Sequence, residues 1–421
     1  MAANLKCDVL VLGAGMVGVC AALALQARGR DVVLVDRRGA AEETSHGNAG
    51  IIQREAVLPY AFPRDWKVVL DYALNRRTEA NLHHWDLMGL APWLWKHFQH
   101  SAPEGIVATA NAARPLVERC IDEHEALMQP AGVTGVMRHT GYLRAYHSVQ
   151  RLEADSKAAD AAASRWGIVT ETLSATRLRE LEPYLTGNLA GALLKPQAVS
   201  VPDPGALGKA YADLFRQRGG RFVAADARKL ESVHDGWRLA TGDGAIQARD
   251  AVVALGPWSN EILRPLNLEL PLIGKRGYHK HYAALGNAAL SRPVLDVDGG
   301  YVLAPMARGI RLTTGAEFAR FDAPPTPIQI EKTEPLARKI FPLGDTIDSE
   351  AWLGRRPCLP DMLPAIGRAP GQYGRKGLWF DFGHHHLGFT LGPVTGRLLA
   401  QMMTGEEPFT DPAPYRPERF Q

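Results

Sequence analysis

The first twenty residues carry GAGMVG (Gly13 to Gly18). It follows a short apolar run, CDVLVL (Cys7 to Leu12), and leads into an alanine- and leucine-rich stretch, VGVCAALALQA (Val17 to Ala27). Glycines at this spacing between strand and helix point to a nucleotide-binding βαβ unit. Gly13 permits the tight turn, Gly15 lets the backbone approach a pyrophosphate, and Gly18 lets helix and strand pack closely. The helix opening at Met16 and Val17 offers free N–H groups and the positive end of its dipole to the diphosphate. Gly29 and Arg30 close the helix, and DVVLV (Asp31 to Val35) forms the next strand. Asp36, at the end of that strand, can accept both ribose hydroxyls, which argues against a 2′-phosphate although Arg37 and Arg38 follow it. Arg37 joins the expected cofactor contacts.

The other end of the chain carries GHHHLGFTLGPVTGRLLA (Gly383 to Ala400), a glycine-rich turn opening an apolar helix. A mononucleotide would have no use for this second turn. A ligand gripped by both ends of the chain has to be long, and FAD meets that requirement. The three consecutive histidines invite a metal reading. Adjacent residues project in different directions, however, and known helical metal pairs use i, i+4 spacing. No metal is expected at His384, His385 and His386.

At 421 residues the chain is long enough for two or three domain-sized units. A net charge of +3 with scattered basic residues excludes nucleic acid as an expected partner. No apolar stretch reaches the roughly 18 residues needed to span a bilayer. The N-terminal apolar run imitates a signal peptide, but Lys6 and Asp8 interrupt it and no small-residue cleavage site follows, so it is expected to be a fold element. The four cysteines show no metal-type spacing. A reducing cytoplasm fits them.

After Asp36 comes a polar, glycine-bearing loop, ETSHGNAGII (Glu43 to Ile52), where a plain βαβ protein would continue into a helix. Residues 61–130 read as helical, with a Trp-rich stretch at PWLWKHFQH (Pro92 to His100), and Pro130 to Tyr146 as turn and hairpin. Residues 150–186 read as helical again. Val201 to Gly220 is a helix with a proline near its first turn and a Gly-Gly stop. Arg221 to Ser259 alternates like a strand meander and ends in the apolar strand Ala251 to Leu255. Residues 270–320 alternate strongly and predict an antiparallel sheet. Residues 330–342 are helical, and 350–421 return to strand, turn and helix.

This order of motifs resembles the D-amino-acid oxidase (DAO) superfamily of FAD-dependent amine oxidoreductases, and most closely its bacterial D-amino-acid dehydrogenase branch. The anchors are GAGMVG with Asp36, TSHGNAGII at 44–52, ALGPWS at 254–259, KRGYH at 275–279, GRRPCLPDMLPAIG at 354–367 and the C-terminal glycine turn. The resemblance implies a mixed α/β (α+β) fold: a Rossmann-like FAD-binding domain with an inserted substrate domain built on an antiparallel sheet. The FAD-binding domain is expected over 1–60, 150–262 and 350–421, and the substrate domain over 61–149 and 263–349.

The resemblance also implies roles. Ser45 and Asn48 fall in the loop beside the pyrophosphate and flavin edge, Ser45 also being readable as a turn or helix cap. Gly50 and Ile52 let the chain pass close to the ring, Ala227 sits beside the adenine, and Leu255 and Gly256 close over the pyrophosphate. His384 to Thr390, including His385, Leu387, Gly388 and Thr390, presents a helix N-terminus to the flavin pyrimidine. Its partial positive charge suits an anionic reduced flavin. The family commonly has GHGHLG here, so His385 replaces a glycine, a change expected to narrow the pocket. Arg356 in GRRP matches the arginine that pairs with the substrate carboxylate, a task for which a planar fork is suited. Arg355 and Arg276 are its alternatives. Tyr278, His281 and Tyr301 lie on the expected substrate sheet. Tyr278 and His281 are three apart and face opposite sides of an ideal strand, and Tyr278 is preferred.

The implied reaction is oxidation of a D-amino acid, with hydride passing from Cα to the flavin and electrons then to a quinone-like acceptor. D-Proline or D-hydroxyproline types are included. Any membrane contact would be peripheral. No dedicated base is required, with His384 and His46 as the available proton acceptors. Attaching cysteines of the superfamily lie about where Gly354 stands, so Cys358 reads as a packed thiol and FAD as non-covalent. A glycine- or sarcosine-type oxidase using oxygen is the alternative, and a non-catalytic flavin-binding subunit a third reading.

Overall fold

The computed structural model describes residues 3–371 and 376–421. The strand Ala3–Leu12 runs parallel to Val32–Asp36 on one side and to Gly244–Val253 on the other. Arg221–Ala224 extends this sheet past Val32–Asp36, and Leu378–Phe382 extends it past Gly244–Val253, both in parallel. Three antiparallel additions, Leu230–Val233, Gly236–Thr241 and Ala365–Arg368, bring it to eight strands. Val9 to Leu12, Val32 to Val35 and Ala251 to Val253 are all buried, which is why each reads as an unbroken apolar run.

The helix Met16–Gln26 covers one face and is crossed by the C-terminal helix Gly388–Thr404. Gly392 and Gly396 make that crossing possible. A Cβ on Gly396 would stand 2.7 Å from the backbone N of Ala21, and one on Gly392 would stand 2.9 Å from Cγ of Met16. The two ends of the chain are therefore packed into one layer.

A second sheet of eleven strands, largely antiparallel, is organised around the long strand Ile273–Ala284. It pairs with Gly309–Thr314 and with Trp352–Cys358, while Tyr301–Met306, Val294–Asp296, Tyr142–Tyr146 and Gly191–Lys195 continue the order outward. The expected segment boundaries need correction here. Glu171–Ser174, Gly191–Lys195 and Trp352–Cys358 join this sheet, not the nucleotide sheet. Residues 130–146 form no hairpin, because Tyr142–Tyr146 pairs with distant strands at 191–195 and 294–296. The segment after residue 60 is helical (Trp66–Ala73, Leu87–His100, Pro103–Val117, Cys120–Met128) apart from the short strand Ala80–Leu82. In its Trp-rich part Trp93 is buried and donates to the Cys358 carbonyl, whereas Trp95 faces outward. Among the described residues no helix is long and apolar enough to cross a membrane.

Candidate active site between the two sheets

A cavity of about 780 Å³ runs between the sheets, with its walls drawn from both ends of the chain. At one end lie Gly13, Gly15, Met16, Val17, Asp36 and Arg37. Gly13 has φ +102°, and a Cβ there would stand 2.5 Å from the carbonyl O of Ala254. Gly18 packs on Gly13, where a Cβ would lie 1.8 Å from the Gly13 carbonyl O, and it does not face the cavity. Gly15 is different, since the nearest atom to a Cβ is Ser45 Oγ at 3.4 Å. The Asp36 carboxylate accepts from the Ala14 N–H at 2.9 Å and the Arg38 N–H at 2.9 Å, which fixes it at the cavity edge. Ala227, Leu255 and Gly256 complete this end.

The polar loop after Glu43 forms the next wall. Ser45 Oγ accepts from the Met16 N–H at 2.9 Å, so Ser45 lines the cavity and caps the first helix together. Asn48 also lines it, with its side-chain oxygen accepting from the Gly50 N–H at 2.8 Å. Gly50 turns the chain at φ +70°, where a Cβ would lie 2.2 Å from the Val201 carbonyl O, and is not itself in the wall. Ile52 is fully buried on the core side, and strand alternation gives the cavity to Ile51 and Gln53 instead. His46 likewise turns away: its Nδ1 stands where a Cβ on Gly205 would be 2.8 Å distant.

The C-terminal turn closes the flavin end expected from the sequence. His384, His385, His386, Gly388 and Phe389 face the cavity, while Leu387 and Thr390 point into the core. The Thr390 hydroxyl bridges to the loop strand, donating to the Ile51 carbonyl and accepting from the Gln53 N–H. His385 sits at φ +42°, the left-handed conformation a glycine would take without strain. Burial holds its pKa down to about 3, so the ring is neutral. His384 is less available as a proton acceptor than expected. Its Nε2 is 3.0 Å from Thr395 Oγ1 and 3.3 Å from Asp381 Oδ1, inside the core. Burial raises the Asp381 carboxyl, opposed by the hydrogen bond to His384.

Three arginines compete for a carboxylate, and their partners separate them. Arg276 is wholly buried, with Nε 2.7 Å from Glu317 Oε2. Arg355 donates to the Phe321 carbonyl at 3.0 Å and lies over that ring. Arg356 faces the cavity and donates only to backbone carbonyls, Gly315 at 2.8 Å and Thr314 at 3.2 Å among them. Burial lowers its pKa, and no carboxylate lies within ion-pair distance among the described residues. Its guanidinium rests over Gly277, where a Cβ would meet Nη1 at 2.6 Å.

The tyrosines and the histidine of the substrate sheet differ in their relation to the cavity. Tyr278 lines the cavity beside Gly277 and His279. Its hydroxyl donates to Glu317 Oε2 at 2.9 Å and accepts from Arg276 Nη2 at 2.8 Å and the Thr326 N–H at 2.8 Å, so it is committed to a structural network. His281 does not reach the cavity. Its Nδ1–H donates to Asp348 at 2.6 Å, and its Nε2 accepts from Arg311 Nε at 3.0 Å. Tyr301 does line the cavity, and its hydroxyl is buried without a hydrogen-bond partner.

Sequence reasoning missed several wall residues. Trp352 fills the trough left by Gly47 and Gly354 and stacks on His279, with centroids 4.8 Å apart. It also missed the ligand-like cluster of His279, His281 and Asp348, whose donor atoms lie within 4.8 Å of one another. Arg311 and Arg308 stand on that cluster, the latter 3.1 Å from Asp348. Arg311 also donates to the Asn48 carbonyl, so the cluster anchors the polar loop from below.

The cavity fits FAD on its own geometry. A glycine cradle at a helix N-terminus and a carboxylate at the end of the second strand stand at one end, and a second helix N-terminus at the other. A model of the DAO family, described as FAD dependent oxidoreductase, matches residues 8–402. A D-amino-acid oxidase of Bradyrhizobium diazoefficiens is 30% identical over 420 residues, covering 98% of both chains. A D-amino acid dehydrogenase of Paramagnetospirillum magneticum is 29% identical over 425 residues, covering 94% of this chain and 95% of the relative. The crystal structure of glycine oxidase from Geobacillus kaustophilus superposes with a TM-score of 0.73 at 21% identity, covering 98% of both chains. With that match over nearly its whole length, the chain belongs to the DAO family of FAD-dependent oxidoreductases.

Proposed function

We propose that this protein oxidises the Cα–N bond of D-amino acids with non-covalently held FAD and passes the electrons to a quinone-like acceptor. The observation that carries the reading is Arg356: a buried guanidinium in the cavity wall, held by carbonyls and with no carboxylate partner among the described residues. A substrate carboxylate supplies the missing countercharge, and the two-pronged contact fixes which face of Cα is presented. Bound FAD supplies the two-electron acceptor for the Cα hydride. Gly388 and Phe389, at the N-terminus of the last helix, direct a positive dipole end into the same space. Because His384 is tied to Thr395 and Asp381, the amino group gives up its proton to water, not to a dedicated base.

Non-covalent binding rests on Cys358, which is wholly buried, outside the cavity wall, with its thiol pKa raised by burial. Gly354, not a cysteine, faces the cavity. Acid precipitation should release the flavin into solution. Contact with a membrane-dissolved quinone is peripheral in this reading.

The second reading is an oxidase that uses oxygen, and the 30% identity to a protein named D-amino-acid oxidase favours it. Anaerobic mixing with a panel of D- and L-amino acids tests the substrate. Bleaching of the flavin by D-enantiomers alone is expected, and bleaching by none, or by L-enantiomers, would sink the proposal. Reoxidation by air as fast as by a soluble quinone would transfer it to the oxidase reading.

A further inference from the structure

The cavity does not stop at Arg356. A row of registered neighbours crosses the larger sheet from Trp352 through His279, Thr313, Val302 and Leu295 to Arg144, and all six face the cavity. Arg144 ends the row. On its strand Tyr142, Arg144 and Tyr146 alternate with Leu143 and Ala145, which enter the apolar core.

The surroundings of Arg144 leave it under-committed. Its Nε is buried with no hydrogen-bond partner. Its nearest carboxylate oxygen is Asp155 Oδ2, 3.6 Å from Nη2, and that oxygen already accepts the Tyr146 hydroxyl at 2.8 Å. Glu55 and Lys195 lie within electrostatic reach of Arg144 and of each other, and burial pushes the Glu55 carboxyl up to about 7. Arg151, farther along the same wall, is satisfied by Asp298 at 2.6 Å. A guanidinium with a buried, unpaired N–H is costly unless something else binds it.

Arg144 and Arg356 face a common space. Tyr60 lines the same cavity as both guanidinium groups. Arg356 rests where its donors meet Thr314 and Gly315, at the end of the strand Gly309–Thr314. From that strand to the strand of Arg144 is three spacings, roughly 14 Å between backbones, a gap that Arg144's own side chain narrows.

We propose that Arg144 binds a second anionic group at the far end of the substrate side chain, so that the preferred substrates are dicarboxylic amino acids. This rests on the proposed function, in which Arg356 holds the α-carboxylate. Between the two cations the wall is apolar at Leu295 and Val302, which suits the intervening methylenes.

The test separates binding from turnover. Holoenzyme is titrated with glutarate and with pentanoate, two non-reacting acids of equal chain length, and followed by the flavin absorbance spectrum. Glutarate should bind about tenfold or more tighter, the value of one charge-assisted contact. Arg144→Met should abolish that difference, and Arg144→Lys should restore part of it. The ratio of kcat/KM for D-glutamate to that for D-glutamine should fall in parallel. Equal binding of the two acids to the wild type, or a ratio unchanged in Arg144→Met, overturns the proposal. Glutarate preference in a protein that bleaches with no D-amino acid would leave Arg144 as the anion site while removing the proposed reaction.

Discussion

Gly277 lies directly beneath the Arg356 guanidinium: a Cβ on Gly277 would stand 2.6 Å from Nη1 and 2.9 Å from Nη2. The glycine keeps the trough in which the arginine lies flat on the strand and reaches the Gly315 and Thr314 carbonyls. Gly277→Ala should displace the guanidinium while leaving FAD bound. Misplacement of a positioning group by about an ångström costs up to roughly 100-fold. The readout is the substrate KM, and an unchanged KM would show that Arg356 does not need this bed.

Arg356→Ala removes the carboxylate contact itself. A charge-assisted pair in a closed site is worth about 2–4 kcal/mol when one partner is deleted, or roughly 30-fold to 1,000-fold in affinity. Arg356→Lys should recover only part, since a point charge cannot hold both oxygens. A matched amine without the carboxylate should lose little more in the variant than in the wild type. Equal losses for acid and amine would make Arg356 a structural residue.

Gly13 and Gly15 should separate fold from ligand. At Gly13, a positive φ and the Ala254 carbonyl leave no room for a side chain, so Gly13→Ala should lower the melting temperature of the apoprotein. At Gly15 the nearest atom to a Cβ is at 3.4 Å, so the space opposite is the ligand's. Gly15→Leu should reduce FAD content with a smaller effect on the apoprotein. Full occupancy in Gly15→Leu would show that the pyrophosphate lies elsewhere.

His124 sets an acid limit. Its ring is fully buried, Nε2 donates to the Phe389 carbonyl at 2.9 Å, and burial lowers its pKa to about 4 from 6.5. A histidine held neutral in the fold contributes stability that is fully present above 6.5 and is lost as pH falls toward 4. The loss amounts to roughly 3 kcal/mol at about 1.4 kcal/mol per unit. Urea midpoints between pH 7 and 4 should therefore fall less steeply in His124→Gln. An identical slope would assign the acid sensitivity to other histidines.

The βαβ unit was legible because each glycine's task is local: turn, ligand approach and helix packing lie within a few residues of one another. The glycines of the last helix were read only as a turn opening a helix. Gly392 and Gly396 also serve the crossing with Met16 and Ala21, and nothing nearby in the sequence names those partners. Tyr278 was favoured because KRGYH matches the family motif. Tyr278 does line the cavity, but its hydroxyl is taken up by Glu317 and Thr326, partners far along the chain. The choice among Arg276, Arg355 and Arg356 likewise waited on Glu317, whose carboxylate claims Arg276. Residues 171–195 were assigned to the wrong unit because an apolar strand such as GALLK carries no mark of its neighbours.

The pairing of the first strand with residues 244–253 and the crossing of the first helix by the last one bear on the order of events during synthesis. The glycine cradle emerges before these partners: its strand gains one parallel neighbour only after some two hundred further residues, and its helix is crossed by Gly388–Thr404 later still. Pairings of such long sequence separation form slowly. A growing chain therefore leaves the first strand without one of its two parallel neighbours until residues 244–253 are made, an interval in which association with other chains competes with folding. Cofactor capture should then follow docking of Gly388–Thr404, so that flavin supplied after that point raises the yield of native protein more than flavin supplied only during elongation.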